Sequence, residues 1–402
     1  MPIYNYIVKD PQGKTLTGTV EAPSASSATS ILQERRYVVV SVTEKKEGGF
    51  LQKILEQFRG VSMGEKTVFA RQLSTMVSSG LPLTNALEIL RAQAETEKMQ
   101  DVLGEMLADV QGGTALAKAM GKHPEVFNKV TVALVEAGEA SGKLDTLLSQ
   151  LAENMEKEQD FQSKTRGALI YPAVIAVAMV VVFIIMVAFV VPRLTDLYAD
   201  IGAELPLPTQ ILISISNFMV RGWWAVFVIL IAFGYGLFRW SQTEKGRYQL
   251  SEIAFKVPVF GKLNKESEQA RFARTLGLLS GAGIPITQAL EITAAAMGNV
   301  LYKDAIIDAE RQVEKGVPLS VPLKKDPNFE PILSQMIAVG EETGKMDEVL
   351  GRVALFFEGQ AEGMIKNLTT ALEPIILVAL GVMVALLILS IISPIYQLTT
   401  QF

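Results

Sequence analysis

The chain has 402 residues, 49% apolar and 20% charged, with a positive mean hydropathy of +0.30. Its formal net charge of −5 is too mild to point at nucleic acid, and its lack of cysteine excludes disulfides and thiolate chemistry. A chain of this length holds two or three domains, and so many apolar residues coexist with this charge only if the two kinds are segregated along the chain.

In chain order, residues 1–46 predict a small β-rich module. The first residues carry neither a basic cluster nor an apolar run, so no cleavable leader is expected. Tyr4–Val8 and Thr15–Val20 read as strands around a Pro11-Gln12-Gly13 turn. Ser24–Arg36 reads as a helix started by serine caps, and Tyr37–Thr43 as a third strand. Residues 47–62 form a linker with Gly48-Gly49 and an amphipathic stretch, Phe50–Phe58, suited to lie on the protein or on a membrane surface. Residues 63–166 predict a first helical domain: Phe69, Leu73, Met76 and Val77 share one helix face, and Gly80 suits the left-handed residue that ends it.

Three segments carry no charge: Gly167–Pro192, Gly222–Phe238 and Pro374–Phe402. About 20 helical residues cross a bilayer core of about 30 Å, so the first and third are ample and the second is just long enough. Trp223, Trp224 and Trp240 bracket the second like an interfacial aromatic belt. The predicted division is then a span at 167–192, a periplasmic loop at 193–221, a span at 222–240, a second helical domain at 241–370, a span at 371–395 and a periplasmic tail at 396–402. With the N-terminus in the cytoplasm, all lysines and arginines but Arg193 and Arg221 fall on the cytoplasmic side. No ionisable residue lies in the interior of a span, Arg239 and Glu373 standing only at span edges, which disfavours an ion-coupled carrier.

An internal repeat organises the chain. Phe69–Ile89 recurs as Phe272–Ile292 at an offset of 203 residues, both following F-A-R-x-L and G-[LI]-P-[LI]-T-x-A-L-E-I. After one deletion the offset is 202, and Gly138–Asp145 recurs as Gly340–Asp347 with the pattern G-E-x-[ST]-G-K-[LM]-D. Pro172 and Pro374 correspond at the entry to the first and third spans. Two copies that precede spans running the same way make a parallel repeat about an axis along the membrane normal. The middle span returns the chain so that both copies share the cytoplasmic side.

The G-E-x-[ST]-G-K segments lack the spacing and the following Ser or Thr of a phosphate loop and predict a helix–helix connection, with Asp145 and Asp347 as N-caps of the helices that follow. Thr84 is the expected cap of the helix from Asn85. The single histidine, His123, has no second histidine or cysteine to share a metal. Glu153, Glu156, Glu158 and Asp160 form an acidic run, either a solvated face or oxygen ligands for a divalent cation. Arg71 and Arg274 recur at one place in both copies, either ion-paired to Glu88 and Glu291 on the neighbouring helix or turned toward a partner.

These repeated segments resemble the type II secretion system F-protein family, which includes the inner-membrane platforms of type II secretion and of type IV pili. The resemblance covers nearly the whole chain. It implies a mainly α, polytopic membrane protein with three transmembrane helices, two homologous cytoplasmic helical-bundle domains and the small β-rich module. It further implies a platform without catalytic activity or cofactor in the inner membrane. The partners implied are a cytoplasmic secretion or pilus ATPase, pilin or pseudopilin subunits, other inner-membrane assembly proteins, membrane lipid and further copies of the chain. Candidate docking residues are Arg71, Gln72, Glu88, Glu139 and Lys143 in the first copy and Arg274, Glu291, Glu341 and Lys345 in the second. Gln72 is Thr275 in the second copy, so the two copies need not meet the same partner. A transporter or channel is the competing class; a membrane-bound enzyme stands behind it.

Overall fold

The structure is a computed structural model that describes residues 3–9, 15–34, 37–44, 60–186, 214, 224, 228–229, 231–257 and 260–400. The chain divides into two units, Met1–Ser62 and Met63–Phe402. In the first, strands β1 (Ile3–Lys9), β2 (Thr15–Glu21) and β3 (Val38–Glu44) form a sheet of order β2-β1-β3, antiparallel throughout. Helix α1 (Ala25–Glu34) begins where Ser24 Oγ accepts the Ser27 amide at 3.2 Å, and it packs on β1 and β3. Tyr4, Ala22 and Ala28 make the small core beneath it, with Val20 and Ile31 packed alongside.

The second unit contains the repeat. Its first copy is α2 (Met63–Ser78), α3 (Leu83–Gln93), α4 (Glu97–Gln111), α5 (Leu116–Gly121), α6 (Lys129–Ser141) and α7 (Leu144–Ile185). An added helix, α8 (Glu244–Lys256), then precedes the second copy: α9 (Phe260–Gly281), α10 (Ile286–Ala296), α11 (Val300–Val313), α12 (Ser320–Lys325), α13 (Pro331–Thr343) and α14 (Met346–Thr400). The described positive-φ residues are six glycines in three repeat-equivalent pairs, Gly80/Gly283, Gly113/Gly316 and Gly142/Gly344. At Gly80 the amides of Gly80 and Leu81 donate to the carbonyls of Val77 and Met76; at Gly283 those of Gly283 and Ile284 donate to Ser280 and Leu279. That double bond closes a helix end only around a left-handed residue, which glycine adopts without a Cβ clash. The repeat therefore keeps its glycines at the places where the backbone needs them.

Within each copy the first helix lies along the last, α2 on α7 and α9 on α14, and the penultimate helix packs beside them. The α9–α14 packing is the most extensive. It buries Leu350, Val353, Ala354, Phe357, Ala361 and Ile365, which follow a three-to-four-residue spacing down one face. Burial of each large aliphatic or aromatic side chain there contributes about 1.5–3 kcal/mol. Aromatic pairs recur too: Phe69 meets Phe127 at 5.5 Å between centroids, and Phe272 meets Phe329 at 5.3 Å.

The long helices pass through the apolar boundaries. No helix starts at the apolar boundary: α7 runs for 42 residues through Pro172, and α14 for 55 residues through Pro374 as far as Thr400. At 1.5 Å per residue they are about 63 Å and about 80 Å long. Both are long and apolar enough to cross a membrane, and the large aliphatic side chains of their distal halves, such as Val177 and Val378, stand exposed. The caps differ from those expected. Residue Lys143, not Asp145, stands at the N-cap of α7 without a side-chain cap bond, and Asp145 and Asp347 lie in the first turns of α7 and α14. There a carboxylate still meets the positive end of the helix dipole. Likewise Pro82 caps α3, and Thr84 falls inside it. The Phe50–Phe58 stretch, the 193–221 loop apart from Ser214, and much of the second apolar segment lie outside the described residues; residues 231–241 at the end of that segment are helical.

Alanine at a left-handed position is strained, so Gly80→Ala and Gly283→Ala should each destabilise the fold by about 1 kcal/mol. Gly359 sits inside α14 with nothing within 4 Å of a Cβ, so Gly359→Ala should stabilise by about 0.5–1 kcal/mol. Thermal unfolding of the detergent-solubilised chain checks both signs.

Candidate functional site

Glu139 and Glu341 each cap a short helix. Glu139 accepts the Leu116 amide at 2.6 Å and the Ala117 amide at 3.0 Å at the start of α5. Glu341 accepts the Leu319 amide at 2.5 Å and the Ser320 hydroxyl at 2.7 Å at the start of α12. The glycine before each is forced by close approach. A Cβ on Gly138 would sit 3.0 Å from Leu144 Cα, and one on Gly340 would sit 3.1 Å from Met346 Sδ. Gly142 and Gly344 supply the left-handed exit, and Leu144 and Met346 begin the long helices. The G-E-x-[ST]-G-K-[LM]-D segment is thus a helix–helix connection, as its spacing predicts, whose carboxylate locks the preceding short helix. Lys143 and Lys345 remain exposed, with Lys345 3.8 Å from Glu348.

The repeated arginines do not reach Glu88 and Glu291, which stay exposed on α3 and α10. They turn instead to the long helices. Arg71 on α2 clamps Glu156 on α7 with two parallel bonds, one of them Nε to Oε1 at 2.6 Å. Arg274 on α9 pairs with Glu358 on α14. Arg71 and Arg274 are related by the 203-residue offset, and Glu156 and Glu358 by the 202-residue offset, so the clamp is itself repeated. The side chains of the first pair are 41% exposed, whereas those of the second are 12% and 18% exposed. The direct bond from Arg71 holds the Glu156 carboxyl below the usual carboxylate range. Burial pushes the Arg274 guanidinium down, against the attraction of Glu158 and Glu153 on α7. Gln72 lines a small recess with Val68, Leu90 and Leu103, not the clamp.

Three of the four carboxylates in the acidic run on α7 fall in pairs. Glu153 meets Lys157 at 2.6 Å, Glu156 meets Arg71, and Glu158 lies 3.7 Å from Arg271 of the second copy. Among the described residues no group of three His, Cys, Asp or Glu side chains is placed to hold a metal. A cavity of about 320 Å³ separates the copies, with Lys66, Phe69, Val130 and Glu158 on one side and Arg271, Arg274 and Ala296 on the other. A groove of about 590 Å³ continues between α7, α9 and α14, lined by Glu153, Lys157, Arg274, Asp347 and Arg352. Nearer the apolar halves, α7 and α14 touch directly: Lys164 Nζ donates to Glu362 at 2.8 Å and Thr369 Oγ1 to the Ala168 carbonyl at 3.5 Å.

One group had no signal in the sequence. Glu266 is buried in α9 with Oε2 unpartnered, and burial, then the nearby Glu330 carboxylate, raise its pKa to about 7 despite Lys262. Its position in the first copy is Met63, so the carboxyl belongs to the second copy alone. Loss of Arg274 leaves Glu358 largely desolvated, so Arg274→Ala should cost about 2–4 kcal/mol and Arg71→Ala no more than about 1 kcal/mol. A folded-state pKa above the unfolded one means that the native chain binds the extra proton, so the Glu266 contribution is favourable at low pH and lost as pH rises toward 7. Glu266→Gln should flatten that dependence and raise Tm more at pH 8 than at pH 5. Melting curves across pH check both.

Comparison with known proteins gives the same two copies. Residues 69–192 and 272–394 each match the model described as type II secretion system (T2SS), protein F, and residues 1–43 match the type II secretion system protein F N-terminal domain. The chain is 35% identical over 401 residues to the type IV pilus assembly protein PilC of Thermus thermophilus, covering 99% of this chain and 98% of that one. It is 33% identical over 389 residues to the type IV pilus assembly protein TapC of Aeromonas hydrophila, covering 96% of this chain and 93% of the relative. It is also 31% identical over 401 residues to the type II secretion system protein F of Pseudomonas aeruginosa, covering 99% of both chains. Nearly full-length identity and a family match to both copies establish that the chain belongs to the type II secretion system protein F family.

Proposed function

We propose that the chain is a non-catalytic inner-membrane platform that couples a cytoplasmic assembly ATPase to the insertion of pilin or pseudopilin subunits into a type IV pilus or type II secretion filament. The observation that carries this reading is mechanical. Each helical copy passes without a break into an apolar helix, and an arginine clamps its first helix to that same rod. A displacement of either copy then moves the attached membrane segment with it. The relatives named for pilus assembly and for secretion support both halves of the assignment.

In this reading the chain crosses the membrane three times, at 167–192, 222–240 and 371–395, with its N-terminus cytoplasmic and its C-terminus periplasmic. Residues 1–46 and the two helical copies face the motor, and the spans face lipid and filament subunits. Docking falls on residues that the fold leaves outward, Glu88, Glu291, Lys143 and Lys345. Arg71 and Glu139 brace the first copy internally, and Arg274 and Glu341 the second.

Three glycines inserted between Ser163 and Lys164 interrupt the α7 rod, at about 1 kcal/mol of helix propensity each. The expected result is a chain that still inserts in the membrane and co-purifies with the ATPase but assembles no filament. Normal filament assembly by this variant contradicts the coupling.

A further inference from the structure

The two copies within one chain do not pack about a two-fold axis. Helix α6 of the first copy lies on α10 and α9 of the second. A two-fold arrangement requires the reciprocal contact, α13 on α3, and no comparable packing of those two helices is present. The arrangement is head to tail, and among the described residues it leaves the repeat-equivalent of each used face unpaired: α3 on the first copy, α13 on the second.

Those unpaired faces keep the apolar residues of the paired ones. On the receiving side, Ile292 of α10 is 8% exposed, while its equivalent Ile89 on α3 is 39% exposed. On the inserting side, Val130 of α6 is 7% exposed, while its equivalent Ile332 on α13 is 37% exposed. Leu134 and Ala137 complete the α6 stripe; Met336 and Val339 are their equivalents, and Val339 is 46% exposed. Ile332, Met336 and Val339 stand at i, i+4 and i+7, one face of α13, about 100° around the helix from its own buried stripe of Leu333, Ile337 and Gly340. A helix apolar on two faces is built to be covered on both.

Charge follows the same rule where the long helices meet. Within the chain, Lys164 of α7 bonds Glu362 of α14. Shifting by one copy replaces Lys164 with Lys366 and Glu362 with Asp160. The signs are preserved, both residues are exposed, and neither has an ion-pair partner among the described residues. The contact between Glu158 and Arg271 shifts to Gln360 and Val68, which are neutral.

We propose that a second copy of this chain seats its α13 stripe on the exposed α3 face of the first, so that copies continue the order the repeats already have. The contact is heterologous, and such contacts close into rings or run on as filaments. Here the spans decide. A rise along the membrane normal would drag α7 or α14 of successive copies out of the hydrocarbon, so only a rotation about that normal is tolerated and the series closes into a ring. The number of copies is set by the rotation per repeat. This inference stands on the repeat geometry and is independent of the motor and filament reading.

The natural chain has no cysteine, so single thiols report the contact in the intact membrane protein. Full-length Ile89→Cys and Val339→Cys chains carrying different tags are co-expressed and treated with a short bis-maleimide. A cross-linked dimer is expected from the mixture and none from either variant alone. Self-cross-linking of Ile89→Cys overturns the proposal in favour of a two-fold contact. Failure of the mixture to cross-link with both chains in the membrane, or capture of a different protein at these thiols instead, overturns it outright. In the same assay Lys366→Glu should reduce the cross-linked yield about five-fold, as for an exposed pair, and Asp160→Lys added in the same chain should restore it. Yield that stays low in the double variant overturns the register along α7 and α14.

Discussion

Each long helix in this protein has to serve two solvents without breaking its backbone ladder. The N-terminal part of α7 or α14 is packed in a helical bundle under water, and the distal part carries no charge and exposes aliphatic side chains. In hydrocarbon every peptide group must be satisfied within the segment, so the helix cannot fray at the boundary. The rest of the architecture follows: the first helix of each copy lies along the rod, the penultimate helix crosses its start over a glycine, and an arginine ties bundle to rod.

The two copies meet this constraint with unequal strength. In the first, the arginine clamp is half open to solvent, and the packing on α7 centres on Leu147, Leu148, Leu151 and Ala152. In the second, the clamp is largely buried, and α14 keeps burying side chains as far as Ile365. The second copy therefore grips its membrane helix along a greater length, and it carries the buried Glu266 carboxyl that the first lacks. Tandem copies of one fold have become a looser and a tighter half, joined through α6 on α10 and through the Lys164–Glu362 contact.

Much of this was legible in the sequence. The three glycine pairs announce themselves because left-handed helix ends demand glycine at fixed places in both copies, and the first and third apolar runs stand out by length. What was not legible was tertiary. Arg71 has carboxylates nearby in sequence, Glu88 among them, and nothing in its spacing reveals that a helix 85 residues later passes closer. Glu139 reads as a candidate docking charge, and its capping role shows only when α5 is seen to present its amides to it. Pro172 and Pro374 suit a helix start by propensity without excluding a helix that runs through them, and here they sit inside continuous helices. Glu266 gave no signal because burial of a single carboxylate follows from what packs around α9, not from its own pattern.

The central claim is that a helical copy and its membrane segment move as one body. Spin labels on a Thr146→Cys, Arg166→Cys chain, both exposed positions on α7, lie about 30 Å apart along a continuous helix. Pulsed electron resonance on the full chain in membranes, with the proposed ATPase partner idle and turning over ATP, measures that separation directly. The account predicts one narrow distance that turnover leaves unchanged. A broad distribution, or a distance that shifts with turnover, contradicts it.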